Sequence, residues 1–321
     1  MVTRAPGPSA IDWIKLILRG VGQVMFQGHA VTGILFLIGI AFASPLMGLG
    51  ALIGAVIGPV VARALRYDEA DIRDGIYGFN ACLVGIAAFF FFQPGVTEFL
   101  LLVAACAVST PVTWAMRRFL PFPTYTTPFI VTTWVMWGIG RAMGLPTVVL
   151  PPSPNSLNMV SAIVEGLSEV FLQASIVTGI LFYAGLAVSD WRHATMALMG
   201  SVVGTMVGLH HADAPGDITI GIFGYNATLA AIALYLWRPS ILIPLLGAMI
   251  STAIAEFFPL TQLPTLTAPF VLACWVVLAI GILEPLFNPR PAPASSAPGS
   301  PDGATLAGAS LAADPSPGPS A

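Results

Sequence analysis

The chain of 321 residues is 56% hydrophobic and only 8% charged, with a mean hydropathy of +0.87. A soluble protein of this length needs far more charge on its surface, so soluble folds are excluded and an all-α polytopic membrane protein is expected. The net charge of −3 carries little information, because the bilayer hides most of the surface.

After a polar segment (1–10), Trp13 to Phe26 is an apolar run of about 14 residues, roughly 21 Å as helix and too short for a ~30 Å hydrocarbon core. It carries Lys15, Arg19 and Gln23. No cleavable signal precedes it, so the first membrane segments are expected to direct insertion. Five longer runs follow, near 29–44, 46–65, 75–92, 97–116 and 128–144. A Pro/Ser/Asn linker at 146–158 leads to a second short run near 159–172 and five more, near 175–189, 194–210, 218–236, 239–257 and 268–286. From 288 to 321 the chain is Pro, Ala, Ser and Gly, a composition expected to stay disordered. Cys82, Cys106 and Cys274 sit inside apolar runs without metal-ligand spacing, so neither a disulfide nor zinc is expected. No cofactor and no nucleic-acid partner is expected either.

The two halves repeat. Val31 to Phe36 matches Val177 to Phe182, and Gly75 to Ala81 matches Gly221 to Ala227, both at an offset of 146. Gly54 and Gly58 fall on Gly200 and Gly204, a small-xxx-small spacing suited to close helix packing. Phe122-Pro-Thr-Tyr-Thr-Thr-Pro-Phe129 returns as Leu263-Pro-Thr-Leu-Thr-Ala-Pro-Phe270 at an offset of 141. The expected organisation is a first repeat at 11–145 and a second at 159–287, each with five transmembrane helices and a half-membrane helix, the pore lying between them. Five spans is an odd number, so consecutive copies must be inverted. With both termini cytoplasmic, eleven of the twelve basic residues fall inside and Arg141 alone falls outside.

On these blocks the chain resembles a bacterial member of the urea transporter family. The family's Leu-Pro-x-x-Thr-x-Pro-Phe signature matches Leu263 to Phe270 throughout; the first copy has Phe122 in place of Leu but keeps Pro123, Thr126, Pro128 and Phe129. The family's Arg-Gly-x-Gly-Gln-Val-x-Phe opening stands at Arg19 to Phe26, and its Gly-x-x-Gly-Tyr/Phe-Asn block at Gly75 to Asn80 and Gly221 to Asn226. One departure is local: many relatives have Asn-Asn-Pro where this chain has Gln27-Gly28-His29-Ala30. The resemblance implies a passive urea channel in the bacterial inner membrane, assembled as a homotrimer with one pore in each subunit.

Urea is flat and neutral, with four N–H donors and one carbonyl. Its passage needs a line of oxygen acceptors between apolar walls. The prolines at 128 and 269 break the backbone beside Thr126 and Thr267, which supplies hydroxyls and free carbonyls. Gln23 and Glu169 share one position in the two halves; a lone acid at membrane depth is a functional candidate, and the family's matching residues bind urea's N–H groups. The resemblance to the family's constricting slot points to Val24, Phe26, Phe79 and Leu83, with Val170, Leu172, Tyr225 and Leu229, as walls. Asn80, Asn226, Pro128 and Pro269 are read as structural support. His210, His211, Asp213 and Asp217 lie on one loop with no supporting pair elsewhere, so no metal site is expected, and the role of His29 is open. No nucleophile, base and orienting group converge, so an enzyme is not expected. The alternative within transport is a channel for ammonia or a short amide.

Overall fold

The computed structural model describes residues 9–287; the expected tail, Arg4 and Arg290 lie outside them. Of the described residues, 9–282 cluster as one compact unit, and of the second unit only the end of the last helix is described. The described chain is helical, with one isolated antiparallel bridge between Phe92 and Thr147. The first half contains α1 (Ala10–Gln23), α2 (Ala30–Ala43), α3 (Pro45–Ala64), α4 (Glu69–Arg73), α5 (Phe79–Phe91), α6 (Val96–Phe119) and α7 (Thr127–Ala142). The second contains α8 (Met159–Ser168) with a 3-10 turn (Glu169–Phe171), α9 (Ile176–Ser189), α10 (Trp191–His210) and α11 (Pro215–Thr219). It continues with α12 (Gly224–Trp237), α13 (Leu242–Phe257) with a 3-10 turn (Phe258–Thr261), and α14 (Ala268–Phe287).

Polar residues between the apolar runs start these helices by satisfying orphan backbone donors. Ser9 and Asp12 form a capping box on α1; Ser44, Asn158, Ser175 and Asp190 cap α3, α8, α9 and α10. The run expected from residue 75 becomes helical only at Phe79. Gly75 has φ +81° and a Cβ there would lie 2.5 Å from the Gly20 nitrogen; Gly221, at the same φ, would meet Gly166 N at 2.3 Å. The glycine block is therefore a turn pressed against α1 in the first half and α8 in the second, in a conformation that glycine alone adopts cheaply.

Among the described residues, three segments are long and apolar enough to cross a membrane: Pro45–Ala64, Val96–Phe119 and Leu242–Thr261. A fourth, Met159–Phe171 with Ile176–Ser189, is a pair bent by 75°. Ala30–Ala43, Phe79–Phe91 and Ala268–Glu284 are apolar but shorter. Ile34, Ile38, Phe42, Leu100 and Val108 face outward along α2 and α6, as suits contact with lipid rather than water.

The helix bounds follow the sequence offsets. α2 and α9, α3 and α10, and α4 and α11 are each 146 residues apart at both ends, and α7 and α14 start 141 apart. Left-handed residues recur with them: Phe26 and Leu172 (φ 63° and 60°), Arg66 and Ala212 (both 59°), Tyr125 and Leu266 (46° and 45°). Contacts between the halves are reciprocal. Thr32 Oγ1 donates to Gly185 O at 2.7 Å and Thr178 Oγ1 to Gly39 O at 2.9 Å, so each buried hydroxyl bonds the other half's helix. Phe36 and Phe182 lie between them, ring centroids 4.7 Å apart. Within each half the tightest approach is α3 on α5 and α10 on α12. A Cβ on Gly54 or Gly200 would strike the carbonyls of Ala81 or Ala227 at 2.0 and 2.4 Å, so nothing larger fits.

The α3–α4 turn carries the chain's densest charge. Arg63 and Arg73 hold Glu69 at 2.7 and 3.4 Å, and Arg117 reaches Asp71 at 2.9 Å. The Arg63 hydrogen bond keeps the Glu69 carboxyl below its ordinary pKa. That pairing therefore stabilises the turn at neutral pH and is lost as the medium is acidified.

Candidate functional site

The two proline-threonine stretches meet. Thr126 Oγ1 and Thr267 Oγ1 are 2.6 Å apart, and each residue is 2% exposed. Local sequence explains why these hydroxyls face one another. A threonine at a helix N-cap normally accepts from the backbone N–H two or three residues on. Here the residue two on is Pro128 or Pro269, which has no N–H, and the residue three on is taken: Asn80 Oδ1 accepts from Phe129 N at 3.1 Å and Asn226 Oδ1 from Phe270 N at 3.0 Å. Thr126 makes no cap bond to its own helix. Two asparagines from α5 and α12 thus do the capping and leave the threonines free to point across.

The tryptophans that follow lock the same junction. Trp134 Nε1 donates to Pro264 O at 2.8 Å and Trp275 Nε1 to Pro123 O at 2.9 Å. Each half thereby ties down the other's broken backbone. One difference breaks the symmetry. Tyr225 OH and Asn226 Nδ2 both donate to Leu266 O, at 2.6 and 3.3 Å. The first half has Phe79 at the tyrosine's place, and Asn80 Nδ2 turns to Thr113 Oγ1 at 3.4 Å. The Tyr125 carbonyl consequently accepts no hydrogen bond among the described residues.

The expected wall residues collect in one hydrophobic cluster. Val24, Leu83, Val170, Tyr225 and Leu229 are buried in it, and Phe26, Phe79 and Leu172 pack against it half-buried. Phe26 lies edge-on to Tyr125 (5.9 Å) and Phe270 (6.0 Å), and those two rings are 5.1 Å apart. Tyr125, Phe129 and Phe270 were not singled out from sequence, although all three stand inside the signature stretches. Phe26, Leu172, Tyr125 and Leu266 hold left-handed backbone, which costs a bulky residue about 1–3 kcal/mol; such strain collects at functional sites.

Gln23 and Glu169 are not joined to each other. Gln23, the last residue of α1, donates from Nε2 to Asp74 O at 2.9 Å. Glu169 opens the 3-10 turn after α8, half-buried, and its carboxylate makes no hydrogen bond or ion pair among the described residues. In the departing stretch, Gln27 Oε1 lies 3.1 Å from His193 Nδ1 and His29 Nδ1 lies 3.2 Å from Thr32 Oγ1. The suspected histidine loop is split: Asp217 accepts from Ser153 Oγ at 2.9 Å, while His211 and Asp213 turn towards Glu256 on α13. An apolar cleft of about 610 Å³ between α10 and α13 contains none of the threonine-site residues.

The family model for the urea transporter matches residues 14–282, which includes every residue of this site. The chain belongs to the urea transporter family. It is therefore an integral membrane protein of a transporter family. It is 25% identical to urea transporter 1 of Ovis aries and 27% identical to urea transporter 1 of Mus musculus, in each case over 87% of this chain and 79% of the relative.

Proposed function

We propose that the chain is a passive channel for urea, with the solute passing the Thr126–Thr267 pair. The observation that carries this reading is the pair itself: two buried hydroxyls at the meeting N-termini of α7 and α14, beside aromatic rings and an unbonded carbonyl at Tyr125. Urea's N–H groups would exchange water for these oxygens, with Gln23 and Glu169 as further acceptors along the path. The rings of Phe26, Phe79 and Tyr225, with Val24, Leu83, Val170, Leu172 and Leu229, would confine a flat solute. The positive ends of two helix dipoles converge on the pair, and this penalises cations where water is scarce.

The architecture in this reading is two inverted repeats of five crossings, each with a half-membrane helix. Coincident helix bounds, recurring left-handed residues and reciprocal bonds between the halves support it, as does the distribution of basic residues. Short helices such as α5 would be completed across the bilayer by their non-helical neighbours. An inner-membrane location, cytoplasmic termini and a homotrimer belong to the same proposal and rest on charge and family resemblance.

Flux into proteoliposomes tests the solute. Urea is expected to equilibrate much faster than in protein-free vesicles, ahead of acetamide and without ion leak. A protein that passes ammonia but leaves urea behind would overturn the assignment.

A further inference from the structure

We propose that His211, Asp213 and Glu256 form a binding site for a divalent transition cation, with Zn²⁺ the best match to the ligand set. Each offers one ligand atom, and these atoms all lie within 4.8 Å of one another. They come from separate places. His211 follows the last residue of α10, and Asp213 is brought back by the left-handed turn at Ala212, its N–H bonding Gly208 O at 3.1 Å. Glu256 is the penultimate residue of α13.

The second observation is that one imidazole is all that faces the two carboxylates among the described residues. Asp213 Oδ2 and Glu256 Oε1 are closed to solvent without a hydrogen bond among the described residues. His211 Nδ1 makes an ion-pair contact with Glu256 Oε1, but not in hydrogen-bond geometry. One imidazole, even protonated, cannot neutralise two carboxylates, and buried unpaired charge is costly. The sequence has no Lys or Arg between Arg192 and Arg238.

The matching turn of the first half is built differently, since at an offset of 146 Glu69 itself becomes Pro215. There Glu69 is held by Arg63 and Arg73, and at an offset of 146 those arginines become Leu209 and Thr219. His211 and Asp213 stand where the first half has Leu65 and Tyr67. The triad is thus no by-product of the repeat. One nitrogen and two carboxylate oxygens suit Zn²⁺, whereas Ca²⁺ and Mg²⁺ need about six oxygens. Three protein ligands at zinc-bond distances of about 2.0–2.2 Å would leave a position for water, His211 being partly exposed. The bound ion would pin the end of α10 to α13, beside the apolar cleft that ends at His210 and His211.

Titration of metal-free, full-length protein in detergent with Zn²⁺, against a chromophoric chelator, tests this. One Zn²⁺ per chain is expected, undisplaced by millimolar Ca²⁺ or Mg²⁺, together with a rise in melting temperature. Asp213→Asn, Glu256→Gln and His211→Ala should each weaken binding about tenfold or more and abolish the melting shift, while His210→Ala should change neither. His211 is partly exposed, so its variant reports even where the carboxylate variants fold poorly. No stoichiometric binding by the wild type, or binding that survives His211→Ala, would overturn the site.

Discussion

Replacing Thr126 or Thr267 by valine is expected to lower urea flux about five- to tenfold while the protein still folds. Valine matches threonine in shape, so the junction keeps its packing and loses one hydroxyl. The flux change follows from the loss of an oxygen that urea must use in place of water: a hydrogen bond worth about 1–1.5 kcal/mol, roughly five- to tenfold in rate. The structural cost is separate, since the surviving partner, 2% exposed, is left without its 2.6 Å contact, a burden of roughly 1–3 kcal/mol. The double variant should fall short of the product of the singles, because the two hydroxyls act as a pair. Stopped-flow flux in proteoliposomes, with monodispersity checked by size exclusion, measures this; wild-type flux in folded valine variants would put the path elsewhere.

The largest stability effect is expected at Asn226. Its amide accepts from Phe270 N at 3.0 Å and donates to Leu266 O at 3.3 Å, so it holds both the start of α14 and the strained residue before Thr267. Asn226→Leu fills the same volume but strands a buried N–H where lipid and protein offer no water to replace the bond. A loss of about 2–4 kcal/mol follows, with a lower melting temperature in detergent. Asn80→Leu should cost less, because beyond the Phe129 N–H its amide makes only a long 3.4 Å contact with Thr113. Equal melting temperatures for Asn226→Leu and wild type would show that the asparagine does not hold the junction.

Much of this was legible in the residues. The apolar runs foretell the helices because hydropathy and helix length are local properties; α2, expected at 29–44, occupies Ala30–Ala43, and α9, expected at 175–189, occupies Ile176–Ser189. The proline-threonine breaks are visible for the same reason, since proline removes an N–H wherever it stands. The reason the threonines face each other was not legible. It depends on two asparagines, 49 residues before Phe129 and 44 before Phe270, capping the helices in their place. Nor do Tyr125, Phe26, Leu172 and Leu266 announce left-handed backbone, because bulky residues seldom adopt it and the surrounding packing imposes it. Reciprocal bonds such as Trp134 to Pro264 pair one side chain with a distant carbonyl, and a carbonyl has no sequence signature. Glu256 was hidden in an apolar run; only the fold brings it to His211 and Asp213.

The central claim, that urea crosses where the two broken segments meet, is tested most directly by an experimental structure of the full chain in lipid with urea bound. The account predicts urea within hydrogen-bond reach of Thr126, Thr267 or the Tyr125 carbonyl, its plane flanked by the surrounding rings, and the two halves running in opposite senses across the bilayer. Urea bound away from this junction, the threonine pair turned to lipid, or two halves running in the same sense would contradict it.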